Sequence, residues 1–221
     1  MAERYGVPPK RFTKEWWPHY WMYYKWHTIA GAFAAIMIVT TAVQCATREK
    51  FDMNVTYTGS VYFPDESIDM LETEMEKYID DIDGNGEKNV FMQSLVISNM
   101  QETAEVDYAM MTKHDLELAS ETSYLFLYDK AKAEQMLSRD DSADVYVPVR
   151  DWYDGDFESA ECIKNAGGID GAISLKSSTV LQNLGIDASD LYITVRVSYE
   201  DDEVNASAQR NAIKLANELL K

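Results

Sequence analysis

A chain of 221 residues with 46% hydrophobic and 26% charged side chains suits one ordinary domain plus something small, and is too apolar to stay disordered. Its 20 Lys and Arg stand against 38 Asp and Glu, a net charge of −18, which argues against the basic surface that nucleic acid requires. Two Cys, at positions 45 and 162, make neither a disulfide framework nor a zinc cluster.

The first predicted element is the run Thr28 to Ala46, which carries no charge. As a helix rising about 1.5 Å per residue it is about 28 Å long, close to the ~30 Å hydrocarbon thickness of a bilayer. A buried core helix is the alternative reading, but few such helices stay uncharged for this length. Just before the run stand Trp16, Trp17, Tyr20, Trp21, Tyr23, Tyr24 and Trp26. Indole and phenol rings settle at headgroup depth, so these seven read as an interfacial belt on the lipid bilayer. A partner-binding or lipid-reading helix is the other reading of the same residues.

Charge sets the expected orientation. Residues 1–27 carry Arg4, Lys10, Arg11, Lys14 and Lys25 against two acids, whereas residues 48–221 are strongly acidic, with only Arg48 and Lys50 basic near the span. The positive-inside rule then places the N-terminus in the cytoplasm and the C-terminal part outside. The expected organisation is a cytoplasmic tail and aromatic segment over 1–27, a transmembrane helix over 28–47 and an extracellular domain over 48–221. A cleaved signal peptide fits poorly, because no small-x-small site follows the apolar run. Cys45 lacks the small preceding residue that a bacterial lipoprotein needs, since Gln44 is there. Gly31 and Ala35 have a small-xxx-small spacing that packs helices closely, a weak pointer to dimerisation.

Strands and helices then alternate. Phe51 to Thr58 reads as a strand, and a helix opens at Pro64-Asp65 with an apolar stripe of Ile68, Leu71, Met75, Tyr78, Ile79 and Ile82, stopped by Gly84 and Gly86. Val90 to Ser98 is a second strand. Thr103 to Ala119 is a second helix, with Val106, Ala109 and Met110 expected inside and Lys113, Asp115 and Glu117 outside. Tyr124 to Tyr128 is apolar throughout, as a strand buried on both faces is. Asp129 is placed to cap a helix ending at Leu137, after which 138–171 has no regular pattern. Ala172 to Leu175 is a short strand, Ser178 to Leu184 a helical turn or two, and Leu191 to Tyr199 the last strand. The final helix, about Val204 to Leu220, turns Ala208, Ala212, Leu215, Ala216 and Leu219 inward. The expected fold is α/β, with one mostly parallel or mixed sheet flanked by helices.

Candidate chemistry is sparse. His114, the one His beyond the span, falls on the charged side of its predicted helix and reads as a surface residue. Cys162 sits among acids, which raise a thiol's pKa and make it a poor nucleophile. Asp81, Asp83, Asn85 and Asn89 place oxygen ligands at positions one, three, five and nine of an EF-hand calcium loop, with Gly86 at six and Glu87 following it. The match then fails: Lys88 stands where an apolar residue belongs, and Met92 where a bidentate Glu belongs. Ordinary turn chemistry is therefore the first reading and weak calcium binding the second. The acidic stretch Asp140, Asp141, Asp144, Asp151, Asp154, Asp156, Glu158 and Glu161 holds Trp152, Tyr153 and Phe157, which either form a contact surface for a ligand or partner or anchor the loop.

Several segments carry a resemblance: Tyr23 to His27, Cys45-Ala46-Thr47, the Asp83-Gly-Asn-Gly turn, Ala172-Ile-Ser-Leu with Leu184-Gly-Ile, and Leu191 to Arg196. On these the chain resembles a group of uncharacterised single-pass membrane proteins from Gram-positive gut bacteria. Its outer part is also similar, in element order and the Asn-Gly turn, to one lobe of type 2 extracellular solute-binding proteins. That similarity implies a mixed sheet with helices on both faces. Such proteins close two lobes on a ligand and this chain has length for one, so no binding residue carries over. The expected function is a non-enzymatic, membrane-anchored extracellular domain that works by contact with a cell-surface or membrane partner or a ligand. The alternatives are a solute- or peptide-binding accessory lobe of a transporter, and a surface hydrolase using a carboxylate pair.

Overall fold

The computed structural model describes residues 11–14, 16–46, 51–98, 103–157, 159–199 and 203–221. The chain divides into two compact units, Met1–Glu49 and Lys50–Lys221. The basic residues Arg4, Lys10, Arg48 and Lys50 lie outside the described residues, as do Thr47, Glu158 and the side chains of Tyr23 and Cys45.

The first unit is one helix, α1 (Trp16–Ala46). Pro18 falls in its first turn, where the missing N–H has no intrahelical partner to lose. Within α1, Tyr24–Gln44 is long and apolar enough to cross a membrane, and none of it is buried against protein. Its hydroxyls are satisfied within the helix: Thr28, Thr40 and Thr41 Oγ1 donate to the carbonyls of Tyr24, Ile36 and Met37 at 3.0, 2.9 and 2.8 Å. That bonding lets a polar side chain sit in an apolar stretch without water.

The second unit is an α/β domain. In chain order it contains β1 (Met53–Gly59), α2 (Asp65–Met75), β2 (Val90–Val96), α3 (Ala104–Ala119), β3 (Leu125–Asp129), α4 (Lys130–Leu137) and α5 (Ser142–Val145). A 3-10 turn at Val149–Asp151 follows, then β4 (Cys162–Lys164), β5 (Asp170–Ser174), α6 (Thr179–Asn183), β6 (Leu191–Val195) and α7 (Glu203–Leu219). The strands form one sheet in the order β2-β1-β3-β6-β5-β4. It is mixed: β1 runs parallel to β2 and β3, while the β3–β6, β6–β5 and β5–β4 pairs are antiparallel.

Alternation along β3 divides the core between the two faces of the sheet. Leu125 and Leu127 join Val55, Tyr57 and Ile193 beneath Leu71 and Met75 of α2 and Ala212, Leu215, Ala216 and Leu219 of α7. Phe126 and Tyr128 join Ala172 and Tyr192 beneath Ala133, Met136 and Leu137 of α4. Asp129 caps α4, its Oδ1 accepting from the Lys132 N–H at 2.8 Å.

Four expectations need correction. The helix expected from Pro64 to Ile82 ends at Met75, because Lys77 and Tyr78 donate three residues back, and these tighter turns still bring Ile79 into the core. The strand expected to reach Tyr199 ends at Val195, where the chain leaves β3 and the Val197 N–H donates to Val145 O. The region expected to be irregular contains β4, paired with β5 as a hairpin.

The inner face of α3 is the fourth. Val106 and Ala109, expected inside, are exposed, as are Tyr108 and Leu116. The side chains turned inward are Met111, His114 and Leu118, and His114 is fully buried. Apolar residues occur on both sides of this helix, so periodicity alone picks the wrong stripe.

Candidate functional site

The aromatic segment at the start of α1 stacks along the helix. Trp16 and Tyr20 lie 4.8 Å apart, Tyr20 and Tyr24 5.4 Å apart, and Trp17 meets Trp16 edge-on at 5.1 Å. Trp17, Trp21, Tyr24 and Trp26 are exposed, which is the arrangement a headgroup layer would cover.

The 81–89 loop is built around carboxylates. Asp81 Oδ1 accepts from the Gly84 N–H at 2.7 Å and Oδ2 from the Gly86 N–H at 2.8 Å, while Asp83 and Asn85 accept from Asn85 and Glu87 N–H at 3.0 and 2.7 Å. Gly84 and Gly86 both have positive φ, which this tight turn requires. The Gly86 N–H, with Gly84 behind it, holds the Asp81 carboxyl below the usual carboxylate range.

Sequence spacing could not show the third acid here. Asp52, buried ahead of β1, accepts from Ile82 N–H at 2.7 Å on Oδ1 and from Asn89 N–H at 3.0 Å on Oδ2. Carboxylate oxygens of Asp52, Asp81 and Asp83 lie within 4.8 Å of one another. Their chief visible work is to organise the loop through backbone donors, and the remaining lone pairs are of the hard kind that calcium uses. Glu87 and Asn89 contribute backbone to the turn. Asp52→Asn turns a donor amide toward one of these N–H groups and is expected to lower stability by about 2 kcal/mol in a urea titration. A midpoint shift between EDTA and millimolar calcium, lost in the variant, would identify a cation held by this loop.

The acidic stretch tucks its aromatics under the loop. Trp152 is 3% exposed, with Nε1–H donating to Val147 O at 3.3 Å, and Tyr153 and Phe157 are half-buried against the same core. This corrects the contact reading for Trp152, since a buried indole offers a partner nothing. Arg150 lies 6.0 Å over the Phe157 ring. Asp154 is tied to α7 by its N–H on Asn217 Oδ1 at 2.9 Å.

His114 also needs correction, because it is not on the surface. Its Nε2 and the Tyr128 hydroxyl are 2.8 Å apart, and Tyr128 and Tyr146 hydroxyls are 2.8 Å apart, a buried chain of three polar groups. Burial pushes the His114 pKa down to about 4, against a smaller upward pull from Asp115, so the ring is neutral at pH 7. Burial also pushes the Cys162 thiol up to about 11, with Asp170 adding to it. Neither group is poised as a base or nucleophile at neutral pH.

The chain of hydroxyls ends at a cavity of about 240 Å³ between α3, α4, α5 and the end of β6, to which Tyr146 and Arg196 contribute. Arg196, like Asp52, carries no local sequence signal, since it continues a strand-like alternation. No protein-family model, curated protein or solved structure gives a significant match to the chain.

Proposed function

We propose that this chain is a single-pass membrane protein with its N-terminus in the cytoplasm. Its acidic α/β domain stands outside the cell and works by contact with a surface partner or ligand rather than by catalysis. The observation that carries the reading is α1, whose Tyr24–Gln44 stretch has no protein cover and keeps its hydroxyls bonded to its own backbone. Exposed Ile29, Phe33, Ile36 and Ile38 on one isolated helix would be costly in water and favourable in hydrocarbon. The excess of basic residues before the span supports the orientation. The neutral His114 and the raised Cys162 thiol support a non-catalytic role. Calcium at the 81–89 loop belongs to this proposal only as a weak structural ion.

Expression in bacterial cells tests both parts. The full chain is expected to stay in the membrane fraction through alkaline carbonate extraction, and a C-terminal tag to be cleaved by protease added to spheroplasts. Release by carbonate would overturn insertion, and a protected tag would overturn the orientation.

A further inference from the structure

The cavity beside α5 has an unusual wall. Arg196 is 1% exposed, yet its Nε and Nη1 have no hydrogen-bond partner among the described residues. Its opposing charge is Glu121, with Oε2 3.5 Å from Nη1. The rings of Tyr124 and Tyr199 lie 5.7 and 5.1 Å from the guanidinium carbon. A guanidinium has five N–H donors, and leaving buried donors unused is costly enough to call for a partner.

Another part of the lining has the opposite character. Arg139 Nη1 lies 2.9 Å from Asp115 Oδ1 and its Nε 3.4 Å from Asp141 Oδ1, so one cation serves two carboxylates and one negative charge is left over. All three side chains are around half exposed, which opens this part to solvent. Leu118, Met136 and Val145 supply the apolar lining. Tyr199, 55% exposed and held by its hydroxyl donating to Asp144 O at 2.7 Å, packs its ring over the guanidinium.

Spare guanidinium donors, surplus carboxylate charge and apolar side chains around one small cavity complement a small zwitterion. A simple anion would meet repulsion from Asp115 and Asp141, and a simple cation would leave Arg196 unused. About 240 Å³ admits a molecule smaller than a drug-sized ligand. We propose that this cavity binds a free apolar α-amino acid, with its carboxylate on Arg196, its ammonium toward Asp115 and Asp141, and its side chain against Leu118, Met136 and Val145. This goes beyond the surface-contact reading and does not depend on membrane insertion.

The test is calorimetric titration of the full chain in detergent micelles with L-leucine, L-methionine and L-valine, alongside leucinamide and 4-methylpentanoate. At least one amino acid is expected to bind saturably with a dissociation constant between about 1 µM and 1 mM. The two analogues, each lacking one charged end, are expected to bind at least ~10-fold more weakly. Ala119→Trp, at an exposed helical position on the cavity rim, is expected to abolish binding without changing the circular dichroism spectrum. Arg196→Gln should do the same, and if that variant fails to fold the Ala119 variant decides. No heat from any of the three amino acids at about 10 mM, equal binding by either analogue, or undiminished binding by Ala119→Trp would each overturn the proposal.

Discussion

Trp152→Ala is expected to lower the stability of the α/β domain by about 3–4 kcal/mol, the range for deleting a large aromatic from a packed core. The side chain is 3% exposed and belongs to the core cluster under α7. Its backbone adds a second tie, because the Trp152 carbonyl accepts from Asn217 Nδ2 at 2.7 Å. The cavity left behind therefore opens where the 3-10 turn meets the last helix. At ~2–4 °C per kcal/mol for a domain of this size, the melting midpoint should fall by roughly 10 °C. Trp152→Phe keeps most of the volume and loses the Nε1–H bond to Val147, so it should cost about 1 kcal/mol. A thermal melt of the alanine variant that matched the parent would place this indole at the surface and restore it as a contact residue.

Acid should weaken the domain through His114. The ring is neutral in the fold with a pKa of about 4, below its ordinary value of 6.5, while the unfolded chain protonates it near that ordinary value. Between pH 6.5 and 4 the unfolded state binds the extra proton, so stability is full above 6.5 and declines as pH falls through that window. The pKa difference corresponds to about 3 kcal/mol, fully lost only below pH 4. Burial sets the direction, with Lys132 and Arg139 adding to it and Asp115 opposing it. Denaturant titrations at pH 7.5, 5.5 and 4.5 measure the slope, and His114→Gln, which can still bond the Tyr128 hydroxyl, should remove this share of it. An unchanged slope in that variant would mean that the carboxylates alone govern acid sensitivity.

What the sequence made legible was local. The fully apolar Tyr124 to Tyr128 segment, the Asp129 cap, the short helix between Ser178 and Leu184 and the stripe of α7 each depend on neighbours within a few residues, and each is where the pattern put it. What stayed hidden is set by partners far along the chain. Asp52 organises a loop 30 residues later. His114 is inside because its face of α3, with Met111 and Leu118, packs on the sheet, where the Tyr128 hydroxyl gives its ring nitrogen a partner. Arg196 stands in a strand-like alternation and gives no hint that it would be buried with unused donors. The β4–β5 hairpin was missed because three residues, half-buried Cys162 and Ile163 and exposed Lys164, carry too little pattern to read.

The strand order has a consequence for how the domain forms. Residues 53–129 complete the parallel β2-β1-β3 half, and β3 then waits for β6, whose pairing partner Val195 lies 70 residues after Leu125. Ribosomes supply the chain from its N-terminus, so Leu125, Leu127, Val55 and Tyr57 lack their α7 cover until the last residues emerge. Closing so long a loop is slow, and during that interval β3 presents an unpaired edge. A chain truncated before α7 should therefore accumulate as aggregate or be degraded, and nascent domains should depend on holding chaperones until synthesis ends.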